Sequence, residues 1–574
     1  LRQAGEWFHG RLGYRVNLGY TRSDDWTRSR TSKDSADWKR EYAPATSPPP
    51  PSTTPDSLPL IGQTKDPVTG QAVGTPDPLV TVYGSVRVDY YAANGSVVTL
   101  EGGTARADNA VYLSGSSRNQ SRQVLRPWAR LTWDAGGSGI SAWYSGVSLA
   151  GVVLNSGEPW YDDESVFHLE GRTSRTFHGD GGRVVVGASV QNNTVNSQGT
   201  LLGRANDDRS DQYYGAFAQL EYGVRPLRLI GAVRWDDNDL FPAQLSPKGA
   251  LVFTPAKNHA LRLTVARAFL TPTLVGLFDA HAAGQRVWNL MAIEAQLRAN
   301  PSLRPALDNV PLGTLFNNSA AVPESAFGNP HLVPQTAISY EIGYKGQFGQ
   351  RVFITLDAYD AHMQNLLTGL LPAGTTGLNP DFKPWTAPST VPAAQRAAVE
   401  DSVRSALTAL GSTVKNGLTR LADGTTAIAL SFGNVGTVDE WGVELGTGVS
   451  FTRALTFSAG YTWYNFAIRR NLVGDVLAPN TPQHKGTVAL AYAGRQGIDL
   501  GVDARIVSRY HWKTGIWGGD VPASQIVNVN AGYRISPHLR VYANATDLFD
   551  QQRFQVYGGS VIGRRVLAGV ASTF

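Results

Sequence analysis

The chain contains no cysteine and only two methionines, and charged residues make up 17% of its 574 positions. The first absence excludes disulfide scaffolds, thiol nucleophiles and thiolate-held metals, and it suits a cell-envelope protein that would gain nothing from a stray thiol. No apolar run approaches the length of a transmembrane helix. The sequence starts at Leu1 with neither methionine nor an apolar leader, so a secretion signal is expected to have been removed or to lie outside it. Basic clusters interleaved with stacking aromatics are also missing, so the net charge of +5 reads as a solvated surface and nucleic acid is not an expected partner.

What is present is strand and turn material. Glycine occurs 61 times and aromatic residues make up 10% of the chain, a composition that favours one large closed sheet over several helical domains. Ile498, Leu500, Val502, Ala504 and Ile506 alternate with Asp499, Gly501, Asp503 and Arg505. Leu539, Val541, Ala543 and Ala545 oppose Arg540, Tyr542, Asn544 and Thr546, and Val443 and Leu445 oppose Glu444 and Gly446. A period of two residues gives each strand one apolar and one polar face. A soluble sandwich alternates in the same way, so the connections must decide.

Short polar or Gly/Pro-rich connections fall near residues 7–10, 94–95, 134–139, 178–182, 223–226, 254–259, 346–351, 452–454, 494–497 and 536–538, with long segments between them. Short and long connections therefore alternate, the asymmetry of an outer-membrane barrel with tight periplasmic turns and long external loops. These turns join about twenty strands, and the last strand, RVLAGVASTF, stands alone after a loop from about Leu548 to Gly563. That makes about twenty-one. Single-chain bacterial barrels are even-numbered, so one strand is expected to be missing before Leu1, giving about 22. The fold class expected is thus an all-β, transmembrane antiparallel barrel.

Several stretches resemble the barrel domain of TonB-dependent outer-membrane receptors, in that family's order. They are HALRLTVARAFLTPTLVGLF (259–278) with Phe269, Pro272 and Phe278, LVPQTAISYEIGYKG (332–346), FGNVGTVDEWGVELG (432–446), NTPQHK (480–485) and NATDLFDQQRF (544–554). Gln335 stands where the family usually has Glu, and Thr546 and Asp547 stand within the last motif. The resemblance spans essentially the whole chain and implies that residues 1–574 form the barrel domain, without the N-terminal plug and energising box the family also carries. It also implies that Phe574 is the terminal aromatic read by the outer-membrane assembly machinery. Glu341, Lys345, Glu444, Asp499, Asp503 and Arg505 would line the lumen and face the plug. The implied partners are the energising inner-membrane TonB complex, outer-membrane lipid, the barrel assembly machinery and a small-molecule or metal-chelate substrate. The implied activity is energy-coupled uptake of a bulky, scarce nutrient, with a ferric siderophore as first expectation.

Ligand contacts are expected in the external loops. Trp38 and Tyr42 lie in a first long loop, roughly 22–78, that carries SPPPPSTTP, and Trp160 and Tyr161 precede Asp162, Asp163 and Glu164 in another. Residues 286–300 and 392–410 repeat apolar side chains at helical spacing, with Val399, Val403, Leu407 and Leu410 forming one stripe. WDDNDLF (235–241) gathers Asp236, Asp237 and Asp239 but lacks the glycine and distal glutamate of an EF-hand, so an acidic loop is the better reading. No G-x-S-x-G, H-E-x-x-H or G-K-[ST] motif occurs, and the ten histidines are scattered. An enzyme, a cofactor and a bound metal are therefore not expected. A passive porin and, behind it, a barrel hydrolase remain the alternatives.

Overall fold

The computed structural model describes residues 1–572 apart from 24–63, 66–71, 74–76, 115–117, 154–157, 180, 288–289, 318–320, 409–411, 472–477, 495, 515–516, 552, 554 and 557–561. Its main element is one antiparallel sheet of 22 strands. Two of them, Val97–Asp108 and Ala110–Leu113, pair in succession with the same partner, Arg118–Ala135, so counting them as one leaves 21 traverses. Asn109, with φ of 65°, makes the kink between them. The first strand, Arg2–Trp7, pairs with Leu12–Ser23, and the last, Arg565–Ser572, pairs with Leu539–Thr546. No ladder joins the first to the last among the described residues.

All ten short connections read from the sequence join neighbouring antiparallel strands. The alternation also becomes geometry. Ile338, Tyr340 and Ile342 stand exposed on one face of Gln335–Phe348, and Leu500, Val502 and Ile506 do the same on Ile498–Val507. So many exposed aliphatic and aromatic side chains on a single sheet face cannot be stable against water, and they define a surface made for lipid.

The buried core lies elsewhere. Two long connections, residues 271–334 and 365–435, fold onto each other into a compact cap. Its main cluster draws eleven buried side chains from the first and ten from the second. Helix Arg396–Thr408 forms because Val399, Val403 and Leu407, four residues apart, bury one stripe, and all three are at most 1% exposed. Helix Leu290–Ala299 buries Leu290, Ile293 and Leu297 in the same way. The expected helix at 286–300 is thus shorter at its start, because strand Ala280–Val287 occupies those positions. Each large side chain so buried contributes roughly 1.5–3 kcal/mol, and neither loop could cover its own share alone.

A five-stranded sheet runs through the cap. Ala280–Val287 pairs antiparallel with Ala321–Phe327, which pairs in parallel with Thr426–Ser431 of the other loop. Leu371–Pro372 and Leu418–Arg420 complete it against Thr426–Ser431. Parallel pairing requires a long crossover. Here the crossover includes two complete traverses of the barrel wall.

Candidate functional site

The polar face of the sheet carries ion pairs between neighbouring strands. Arg262 pairs with Glu341 and lies 3.5 Å from Asp357, whose register partner across the next ladder is Glu444. One guanidinium thus serves two carboxylates. Asp499 accepts from the Arg540 guanidinium at 2.5 Å, Asp503 accepts from the Asn528 amide at 2.7 Å, and Lys345 Nζ sits 5.4 Å from the Phe353 ring. Arg505 follows Asp503 by two residues and shares its face. These pairs are open to solvent, so each contributes at most about 1 kcal/mol. They set the chemistry of the sheet's polar face, while the backbone ladders hold the wall.

Trp160 and Tyr161 do not lie in a loop. They belong to strand Pro159–Phe177, which continues well past the aliphatic band. Their run W-Y-D-D-E has no apolar period of two, so nothing in the sequence distinguishes it from a loop. The Trp160 ring lies 5.6 Å from that of Tyr112, and the Tyr161 backbone N–H donates to Thr200 Oγ1 at 3.0 Å. The two side chains therefore point to opposite faces, and one ligand cannot stack on both from the same side. WDDNDLF is likewise the end of one strand, Leu227–Asn238, and the start of the next, Phe241–Ala256. Asp236 is held by Arg234, and no group of three potential metal ligands occurs among the described residues. Trp38, Tyr42, Leu410 and Phe574 lie outside the described residues.

The cap is tied to the rim by residues that sequence reasoning met only as family motifs. Asn434, in FGNVG, donates to the carbonyls of Val333 and Asn365 and accepts the Val333 N–H. Gln335, in LVPQ, accepts the N–H of Leu367 at 3.1 Å. The two motifs therefore meet, and together they close the bases of both loops. Gly436 has φ of 123°, and a Cβ there would overlap the carbonyl oxygen of Arg470, so only glycine fits. Higher up, the Asn329 side chain donates to the carbonyls of Leu378 and Phe432.

A third external loop joins them. Val195, Leu201 and Leu202 pack on Leu274, Val275 and Phe278 of helix Leu274–Phe278. The Ala280 N–H donates to the Leu201 carbonyl at 2.8 Å, and the Arg209 guanidinium sits 3.6 Å over the Phe278 ring. Thr273 caps that helix by accepting the Gly276 N–H. Within the third loop, burial works against the charged form of Asp207, but N–H bonds from Ser197 and Gly199 outweigh it and hold the carboxyl below its usual range. Asp279, just beyond the helix, is the opposite case: desolvation raises its pKa, only partly countered by the bond from the His281 ring.

Up-and-down strands, one apolar face, one polar face and a cap folded from long loops define a large membrane β-barrel. The chain belongs to the TonB dependent receptor-like β-barrel family, whose profile matches residues 2–548. Among solved structures it resembles the siderophore receptor PirA of Pseudomonas aeruginosa, with 14% identity, a TM-score of 0.60 and coverage of 100% of this chain and 76% of that one. A variant of the ferric enterobactin receptor PfeA of Pseudomonas aeruginosa, in complex with enterobactin, gives 14% identity, a TM-score of 0.64 and coverage of 100% and 78%. The copper transporter OprC gives 14%, 0.60, 98% and 76%. No curated protein sequence matches the chain.

Proposed function

We propose that this barrel is the wall and external recognition surface of an outer-membrane receptor that takes up a ferric siderophore in a TonB-coupled cycle. The observation that carries the reading is the cap: two long loops of the barrel share one buried core, and in this reading they stand over the lumen and retain a bulky solute. A passive pore would need an open mouth. Family membership, together with neighbours described as siderophore receptors, supports iron chelates ahead of other cargo. Met291 and Met363 are the only thioethers in the chain, which does not favour a copper site of soft ligands.

In this reading Glu341, Lys345, Glu444, Asp499, Asp503 and Arg505 face a plug domain within the lumen, and Phe574 serves barrel assembly. Trp160, Trp38 and Tyr42 contact the chelate, whereas Tyr161 acts through its backbone on Thr200. The barrel carries out no covalent chemistry. The test is uptake of radiolabelled ferric siderophores by cells expressing the full-length receptor, with and without the energising complex. Energy-dependent accumulation that weakens on Trp160→Ala supports the reading. Equal permeation with and without the complex would instead identify a passive channel.

A further inference from the structure

We propose that the external loops 271–334 and 365–435 are one moving part, so that any opening of the mouth carries them together and never separates them. This rests on the transport reading only for its functional consequence, since the structural argument stands on the cap itself.

Three independent kinds of contact join the loops. The first is the core, to which both contribute almost equally and in which Phe316 of one loop lies 5.4 Å from Trp385 of the other. The second is backbone: Glu324 to Phe327 pair in parallel with Ile428 to Ser431, and the Thr426 N–H donates to the Phe316 carbonyl at 3.1 Å. The third is side chain to backbone. Arg420 donates to the Leu315 carbonyl at 3.0 Å, and Asn329 reaches two carbonyls of the opposite loop.

Parting the loops would therefore strip a ladder, expose a dry core and orphan buried polar groups in one step. A packed interface of this kind has discrete states and does not open by degrees. The Asn434 clamp joins the loops again at their bases, so neither end offers a line of separation. Movement must then occur where the cap meets the rim. The sequence is well suited to a test, because it has no cysteine of its own.

His331 and Asp381 face each other across the two loops, 3.0 Å apart and exposed. In the full-length receptor, His331→Cys and Asp381→Cys joined by a short bismaleimide should leave ferric siderophore uptake within about twofold of the unbridged protein. A loss of more than about tenfold, absent in singly substituted proteins given the same reagent, would overturn the proposal. A second readout does not depend on transport. Leu407→Ala, or the milder Val403→Ala, opens a cavity in the second loop's share of the core and should lower hydrogen-exchange protection there by about tenfold or more. The amides of Val322 and Ala326, in the first loop, should fall by the same factor. Unchanged protection at those two positions would show separate units and end the idea. If no siderophore is accumulated by any variant but exchange remains coupled, the transport reading fails and the single body stands.

Discussion

Asn434 and Val333 hold each other by two hydrogen bonds across 101 residues, side-chain oxygen to backbone N–H at 2.9 Å and side-chain amide to backbone carbonyl at 3.0 Å. The amide thus mimics a strand partner for Val333, while its second N–H holds Asn365. Asn434→Ala should destabilise the cap by about 1–3 kcal/mol, because three hydrogen bonds to backbone groups are lost and water replaces them only in part. Limited proteolysis should then cut within 365–435 at concentrations that leave the parent intact. Asn434→Asp should be almost as harmful, since it keeps the acceptor and loses both donors.

Gly436→Ala attacks the same corner by another route. The residue's φ of 123° disfavours any L side chain, and the added methyl group meets the Arg470 carbonyl. The expected outcome is a low yield of folded barrel or a cap detached at its base, visible as lost exchange protection at Val435, whose N–H donates to the Leu366 carbonyl, and at Leu366, whose N–H donates to the Gly436 carbonyl.

Glu294 is fully buried and its charge is met by Arg298 one helical turn later. Arg298 also donates to the carbonyls of Leu307 and Val310, each at 2.7 Å. Arg298→Met should cost the cap about 3–5 kcal/mol by leaving an uncompensated buried carboxylate. Adding Glu294→Met should restore part of that loss, a recovery that denaturant titration with a cap-localised probe would measure. No recovery would mean that the carbonyl contacts dominate.

On the polar face of the wall the expectation reverses. Arg262→Met removes the partner of Glu341 and a near neighbour of Asp357, yet all three side chains are open to solvent. Stability of the reconstituted barrel should change by less than about 1 kcal/mol. A larger loss would show that this network bears structural load.

Asp279 adds a pH dependence. Burial raises its folded pKa above the unfolded value, so the folded state gains from its protonated form at low pH. That gain is complete below the unfolded pKa and is lost as the pH rises through the raised folded pKa. Asp279→Asn keeps an acceptor for His281 and should flatten this slope, leaving the variant relatively more stable at neutral pH. Parallel urea titrations at acid and neutral pH would reveal it.

Much of this molecule was legible before any coordinates. Alternation in stretches such as residues 498–506 marks wall strands because lipid on one side and a polar interior on the other impose a strict period of two. Turn residues marked where the chain doubles back, since tight connections need Gly, Pro or Asn. The stripe of Val399, Val403 and Leu407 revealed its helix for the same kind of reason. The reading faltered at Trp160 and Asp236, where strands rise beyond the aliphatic band and the alternation fades.

The sequence by itself determined the local periodicities, hence the barrel class, the number and order of the traverses and the sites of the short turns. Only the tertiary structure decided that residues 271–334 and 365–435 form one body, and that Asn434 reaches Val333. Those contacts join positions about a hundred residues apart through a mixed sheet and a shared core, and non-local pairing of that kind leaves no period in the chain to be read.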